Sequence, residues 1–324
     1  MSTIPVTIIT GFLGAGKTTL LNEIIAQVPQ KRLAIIENEF GEIGIDHELV
    51  IGAKEGIFEL SNGCICCAIN GELIELLLQL RQQSKGFDHL VIETTGIANP
   101  GAVAEAFITD PAIQAHYRLD AMLCMVDSRH LESSLLKEKE AAQQISYADV
   151  LIFNKTDLVD TDYLARLQKI VHNINPYAQV LETTYGKINA PSLLALNAFD
   201  PAKIEQSTQA IDAHHDHQHQ RITSQSYVFD QDFDLLKFRH FIQVLLMFQG
   251  MRIYRIKGVL SFAHIEERMI FQSVQQQTVF RKGSRWSPEE KRTSRLVVIG
   301  NGLDRAAFTK KLKECLVQTK VPAS

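Results

Sequence analysis

No hydrophobic run in the sequence is long enough to cross a bilayer, because Glu, Gln, Lys or Asp interrupts every apolar stretch short of the roughly 18 residues that a spanning helix needs. Basic excess is also missing. With 33 Lys and Arg against 37 Asp and Glu, a formal net charge of -4, the chain has no electrostatic footprint for nucleic acid, whose binders usually neutralise phosphates with a basic face; only a local patch could serve. Met1 leads straight into the strand-like Val6 to Thr10 without the charged start, apolar stretch and small-residue cleavage site of a secretion signal, so a cytoplasmic protein is expected. Five cysteines give an odd count. Three of them, Cys64, Cys66 and Cys67, stand too close together for a spread disulfide framework, and such clustering favours metal or redox chemistry. No internal repeat is present. What remains is an ordinary globular composition, 45% hydrophobic and 22% charged over 324 residues, enough for a core domain and a smaller partner.

Short apolar runs alternate with longer amphipathic ones through the first two-thirds of the chain. Ile4 to Thr10, Leu33 to Glu37, Leu90 to Glu93, Ala121 to Asp127, Val150 to Asn154 and Gln179 to Glu182 read as strands. Lys17 to Val28, Glu72 to Gln82, His130 to Ser146 and Asp162 to Asn173 carry apolar residues at three- and four-residue steps and read as helices. Strands separated by helices imply right-handed crossovers and a mostly parallel sheet covered on both faces, a three-layer α/β fold. From Asp200 to Arg221 the pattern dissolves into polar residues, including His214, His215, His217 and His219, which reads as a linker. Beyond it, strands near Gln225 to Asp230, Val259 to Phe262 and Arg295 to Gly300, with helices over Leu235 to Met247 and Arg305 to Val317, predict a small α+β domain. The expected division is 1–205, a linker over 206–221, and 222–324.

The segment Gly11-Phe-Leu-Gly-Ala-Gly-Lys-Thr18 fits G-x-x-x-x-G-K-[ST] and lies between a β-branched strand and a helix, the context a P-loop requires. Its glycines let backbone N–H groups face inward while the helix N-terminus adds positive potential, so Gly11, Gly14, Ala15, Gly16, Lys17, Thr18 and Thr19 are the expected phosphate cradle. Lys17 is placed to reach the terminal phosphates and Thr18 to hold Mg²⁺. Asn154-Lys-Thr-Asp157 directly follows a strand, at the carboxyl end where ligands of open α/β sheets collect. A carboxylate at Asp157 accepts from N1–H and the N2 amine of guanine, a donor pair adenine lacks, so Asn154, Lys155 and Asp157 select GTP. Leu90-Val-Ile-Glu-Thr-Thr-Gly96 supplies Glu93, suited to ordering Mg²⁺ through water, and Gly96, whose N–H can sense a γ-phosphate. Lys17, Thr18 and Glu93 are thus the catalytic candidates. The residue after Gly96 is Ile97, where many signalling GTPases have a water-orienting Gln, so unassisted turnover should be slow.

Asn62-Gly-Cys-Ile-Cys-Cys67 packs three thiols into four residues. Such a set can ligate Zn²⁺ or a related ion, can act through the Cys64-x-x-Cys67 spacing as a redox pair, or can be inert; ligand preference favours metal. Glu37-Asn-Glu-Phe-Gly-Glu42 follows the second strand, the position of a first switch loop, and its carboxylates are either solvated or the rest of a mixed carboxylate and thiolate site. The linker histidines are either weak metal scavengers or a solvated polar stretch.

In this order the five segments resemble the CobW-type metallochaperone P-loop GTPases, in particular the YjiA-like branch. Arg255 to Leu260, Phe271 to Gln275 and Arg295 to Gly300 resemble that family's C-terminal domain. The resemblance implies slow GTP hydrolysis coupled to binding zinc, cobalt or another transition metal and to its delivery to client metalloproteins. It implies Glu37, Glu42 and Cys66 as metal ligands, with Cys64 and Cys67 supporting or alternative, and places Thr183 to Gly186 against the guanine. The C-terminal domain would offer a surface for clients or self-association. A P-loop ATPase or kinase with a structural zinc, or a metal store without hydrolysis, are the rival readings.

Overall fold

The computed structural model describes residues 3–37, 57–59, 71–82, 86–96, 99–209 and 222–318, and the chain divides into two compact units, Met1–Phe199 and Asp200–Ser324. In the first unit the elements run β1 (Ile4–Gly11), α1 (Lys17–Gln27), β2 (Leu33–Glu37), β3 (Ile57–Glu59), α2 (Gly71–Gln82), β4 (His89–Glu93), α3 (Pro100–Thr109), α4 (Pro111–Gln114), β5 (Tyr117–Asp127), α5 (Leu131–Lys137), α6 (Lys139–Tyr147), β6 (Val150–Asn154), α7 (Thr161–Ile174), β7 (Gln179–Glu182) and α8 (Ala190–Leu193).

The seven strands form one sheet in the order β3-β2-β4-β1-β5-β6-β7, and every pairing is parallel. Strands β4 and β6 are buried at every position, as expected when helices cover both faces of a parallel sheet. On one face Ile9, Val91, Leu123 and Ile152 pack against Leu20, Leu21 and Ile24 of α1 and Leu193 of α8; α3 and α6 also pack on β5. This is the three-layer α/β architecture expected. The order places β1 centrally, so the turn after it is flanked by the carboxyl ends of β4 and β5.

Two readings of the first unit change. The stretch His130 to Ser146 is two helices, because Glu138 adopts an extended conformation (φ -122°, ψ 123°) between them. Strand β5 begins at Tyr117 rather than Ala121 and runs through the charged residues Arg118 and Asp120. Asp120 is buried there, and its carboxylate accepts from Leu196 N at 3.1 Å, Asn197 N at 3.0 Å and Arg118 at 3.3 Å. Helix α3 has the signals of a start that the periodicity alone did not reveal: Asn99 caps it and Pro100 opens it.

In the second unit α9 (Pro201–Gln209) precedes β8 (Ile222–Phe229), α10 (Leu235–Gln249), β9 (Ile253–Leu260), β10 (Glu267–Val274), β11 (Gln277–Arg285), β12 (Ser294–Asn301) and α11 (Arg305–Glu314). The five strands form an antiparallel sheet in the order β11-β10-β9-β12-β8. Phe238, Ile242, Leu245 and Leu246 of α10 and Phe308 and Leu312 of α11 share a core with Ile256, Phe271 and Val298. Ile204 of α9 packs with Val259 and Ile270. The stretch expected to be linker from Asp200 therefore begins with a helix of the second unit, and the units divide before residue 205. His214, His215, His217 and His219 lie outside the described residues. Among the described residues no helix is long and apolar enough to cross a membrane.

Candidate functional site

The turn between β1 and α1 is shaped by its glycines. Gly11, Gly14 and Gly16 have φ of 141°, 74° and 101°, values that a side chain makes costly. A Cβ on Gly11 would lie 2.4 Å from the Met125 carbonyl oxygen and one on Gly16 2.4 Å from Asn154 Nδ2, whereas at Gly14 it would meet nothing within 4 Å. The loop is thus pressed against β5 and Asn154 while its tip stays open. Gly16 precedes α1 without a side-chain cap, so the polarity of that helix end is left for a ligand rather than a neighbouring side chain. Lys17 is buried, with 8% of its surface exposed.

Asn154 ties the loop to two others. Its Nδ2 donates to Ala15 O at 2.9 Å, its Oδ1 accepts from Gly186 N at 3.2 Å, and its own carbonyl accepts from Ser128 Oγ at 2.7 Å. Lys155, in a left-handed conformation at φ 61°, donates to Gly14 O at 2.9 Å and to Asp127 Oδ2 at 2.6 Å. Asn154 and Lys155 therefore fasten the loop after β6 and the Gly186 turn to the glycine-rich turn after β1. Asp157 stands exposed in a short 3-10 turn, Thr156–Leu158. Across from it, Thr156 Oγ1 donates to Thr183 O at 3.1 Å and lies 3.2 Å from Thr184 Oγ1, which brings the Thr183 to Gly186 turn beside Asp157.

On the other side of the turn, Thr18 Oγ1 donates to Glu93 Oε1 at 3.2 Å. A hydroxyl and a carboxylate so placed beside a polyphosphate cradle fit the oxygen-rich surroundings Mg²⁺ prefers. Gly96 touches the loop directly: a Cβ there would lie 2.7 Å from Leu13 N, and its carbonyl accepts from buried Gln144 Nε2 at 2.9 Å. Glu37 ends β2 in register with Glu93 of β4 and Glu59 of β3, and both Glu37 and Glu93 are buried, 7% and 9% exposed. Glu42, Cys64, Cys66, Cys67 and Ile97 lie outside the described residues. Among the described residues no group of three or more His, Cys, Asp or Glu is arranged to hold a metal ion.

Asp127 and Gln144 were not legible as site residues. Neither belongs to a motif; each matters only because the fold brings the end of β5 and helix α6 beside the P-loop. His89, at the start of β4, is buried with Nε2 2.8 Å from Thr7 Oγ1, and burial, with Lys31 and Arg118 nearby, pushes its pKa down to about 3. It belongs to the support of the sheet and lies at the opposite end of its strand from Glu93.

The description "CobW/HypB/UreG, nucleotide-binding domain" matches residues 5–182, and "Cobalamin synthesis protein cobW C-terminal domain" matches 222–316. The chain is 34% identical over 316 residues to the zinc chaperone YjiA of Escherichia coli, covering 95% of this chain and 98% of that protein. It is 41% identical over 204 residues to zinc-regulated GTPase metalloprotein activator 1 of Schizosaccharomyces pombe, covering 60% of this chain and 50% of that protein. The crystal structure of zinc-bound YjiA GTPase from E. coli superposes with a TM-score of 0.78 at 27% identity, covering 98% of this chain and 100% of that one.

Proposed function

Because the chain belongs to the CobW/HypB/UreG family and also has the CobW C-terminal domain, we propose that it is a GTPase that couples its nucleotide state to binding a zinc-type transition metal and passing it to client metalloproteins. The observation that carries this reading is the register of Glu37 with Glu93. It puts a candidate metal ligand one strand away from the carboxylate that meets Thr18, so a change at the phosphate end has a short path to the metal end.

Lys17 and the backbone of Gly14 to Thr19 hold the phosphates; Lys17 supplies a charge that strengthens as negative charge builds on the transferred group. Asp157 accepts from the guanine edge, with Thr183 to Gly186 closing the same side. Thr18 and Glu93 would hold the magnesium that accompanies the nucleotide, and its contribution would be to neutralise phosphate charge. Gly96, packed on Leu13 and held by Gln144, reports whether a γ-phosphate is present. Zinc or a similar ion is cargo, taken by Glu37, Glu42 and Cys66 with Cys64 and Cys67 in support. Relatives named as zinc chaperones and as a zinc-regulated GTPase support this choice of cargo.

A competition assay tests the nucleotide half. GTP should be hydrolysed slowly and displaced poorly by ATP. Equal competition by ATP would favour a P-loop ATPase or kinase, and metal binding without any GTP turnover would favour a store.

A further inference from the structure

The second unit contains a cavity of about 190 Å³ on the sheet face packed by α9. Its floor is Val259 of β9 and Arg295 of β12, in register with each other and with Ile270 of β10. One wall is a stack in which the Arg268 guanidinium lies 4.3 Å from the centroid of the Trp286 ring. Such a volume is below the roughly 300 Å³ at which drug-sized pockets begin, so it suits a small ion or the end of a side chain rather than a nucleotide.

The acceptors around this cavity are already engaged. Glu205 accepts from Ser284 N and Ser284 Oγ, both at 2.8 Å. Glu290 is paired with Arg268, whose other terminal nitrogen donates to Ser284 Oγ and Arg285 O, both at 2.7 Å. Asp230 accepts from Lys291 at 2.5 Å and Thr293 at 3.2 Å. Two donors are left over. The indole N–H of Trp286 is buried and meets no acceptor, and the half-buried Arg295 guanidinium, close enough to Asp230 to help lower its pKa, makes no hydrogen bond among the described residues. A buried donor without an acceptor is costly, and an arginine fork is matched to carboxylate and phosphate oxygens.

We propose that this cavity is a binding site for a small oxyanion, a carboxylate or a phosphate, held by Arg295 beside the Trp286 indole, with Lys291 also lining it. Arg268 holds the indole in place through the stack, and its own ion pair with Glu290 keeps it there. The ligand brings a free acceptor, the carboxylates around the cavity being engaged already.

Trp286 is the chain's single tryptophan, so intrinsic fluorescence and the one indole N–H resonance both report on this site. The test is a titration of the full chain, saturated with GDP and Mg²⁺ so that the P-loop is filled, with sodium phosphate in one arm and N-acetylglycine in the other, its amide serving as control. The expected result is a saturable fluorescence change with at least one of the two anions and none with the amide, together with a shift of the indole resonance as the charge beside the ring changes. Response to phosphate alone identifies a free phosphate ligand; response to N-acetylglycine alone identifies a carboxylate terminus. Arg295→Gln should weaken the response at least about tenfold, and Arg295→Lys, which keeps the charge and is the safer variant for folding, should weaken it by less. No saturable change with either anion, or an undiminished response in both variants, would overturn the proposal.

Discussion

The two units divide the charge of the chain unequally. Residues 1–199 contain 14 Lys and Arg against 24 Asp and Glu, whereas residues 200–324 contain 19 against 13. A phosphate-binding unit with a negative surplus cannot rely on its overall field to attract a nucleotide, and at physiological salt that field is screened beyond about 8 Å in any case. Its affinity for phosphate has to come from contacts inside the site: Lys17, the loop backbone and the start of α1. The same surplus suits a unit whose cargo is a cation. The second unit has the opposite balance and an antiparallel sheet, and its cavity has donors to spare. Charge sign thus separates a unit with a negative surplus and a local anion cradle from a unit with a positive surplus.

Breaking the cradle alone should give the largest effect. Lys17→Ala is expected to lower GTP hydrolysis by about 10²–10³-fold, measured as phosphate release, while leaving the Trp286 response of the second unit to carboxylate unchanged. Loss of both would mean that the two sites are not independent. Asp157→Asn keeps the volume but turns one carboxylate oxygen into a donor facing the guanine donors. It should narrow the preference for GTP over ATP by roughly tenfold to hundredfold, read from competition binding, without altering the second unit.

A smaller effect separates the units by acid. The folded His89 has a pKa of about 3 against an ordinary value of 6.5, so between these values the unfolded chain binds a proton that the folded one does not. Stability contributed by neutral His89 is therefore full above pH 6.5 and is lost as pH falls toward 3. From pH 6.5 to pH 5 the loss should approach about 2 kcal/mol, at about 1.4 kcal/mol per pH unit. His89→Gln, which can keep a hydrogen bond to Thr7, should flatten that part of the denaturation profile; an unchanged slope would remove His89 as its cause.

The units also differ in how much of them the sequence reveals. Strands β2 and β6 begin and end where the apolar runs Leu33 to Glu37 and Val150 to Asn154 do, because a strand buried on both faces leaves a nearly continuous hydrophobic stretch. Gly11 to Thr18 and Asn154 to Asp157 are local motifs, so both loops stand out in the sequence without their neighbours in space. The hairpin of β10 and β11 was missed as a pair. Gln275 turns it at φ 53° without a Gly or Asn-Gly signal, and β11 carries Arg281, Lys282 and Arg285 instead of an apolar alternation. The Trp286 and Arg295 cavity draws on α9 and four separate strand or loop segments, and no spacing along the chain encodes it. In the first unit the same limit hid Asp127 and Gln144, whose partners Lys155 and Gly96 become neighbours only once the sheet order is set.

The central claim is that nucleotide state and metal affinity are linked through the adjoining ends of β2 and β4. The direct measurement is the zinc affinity of the full chain with GDP and with a non-hydrolysable GTP analogue, each with Mg²⁺, using a competing chelator. A coupling of about 1–3 kcal/mol predicts affinities that differ by about 5–150-fold between the two states, and by linkage zinc must shift the affinity ratio of the nucleotides by the same factor. Equal zinc affinities in the two states would contradict it.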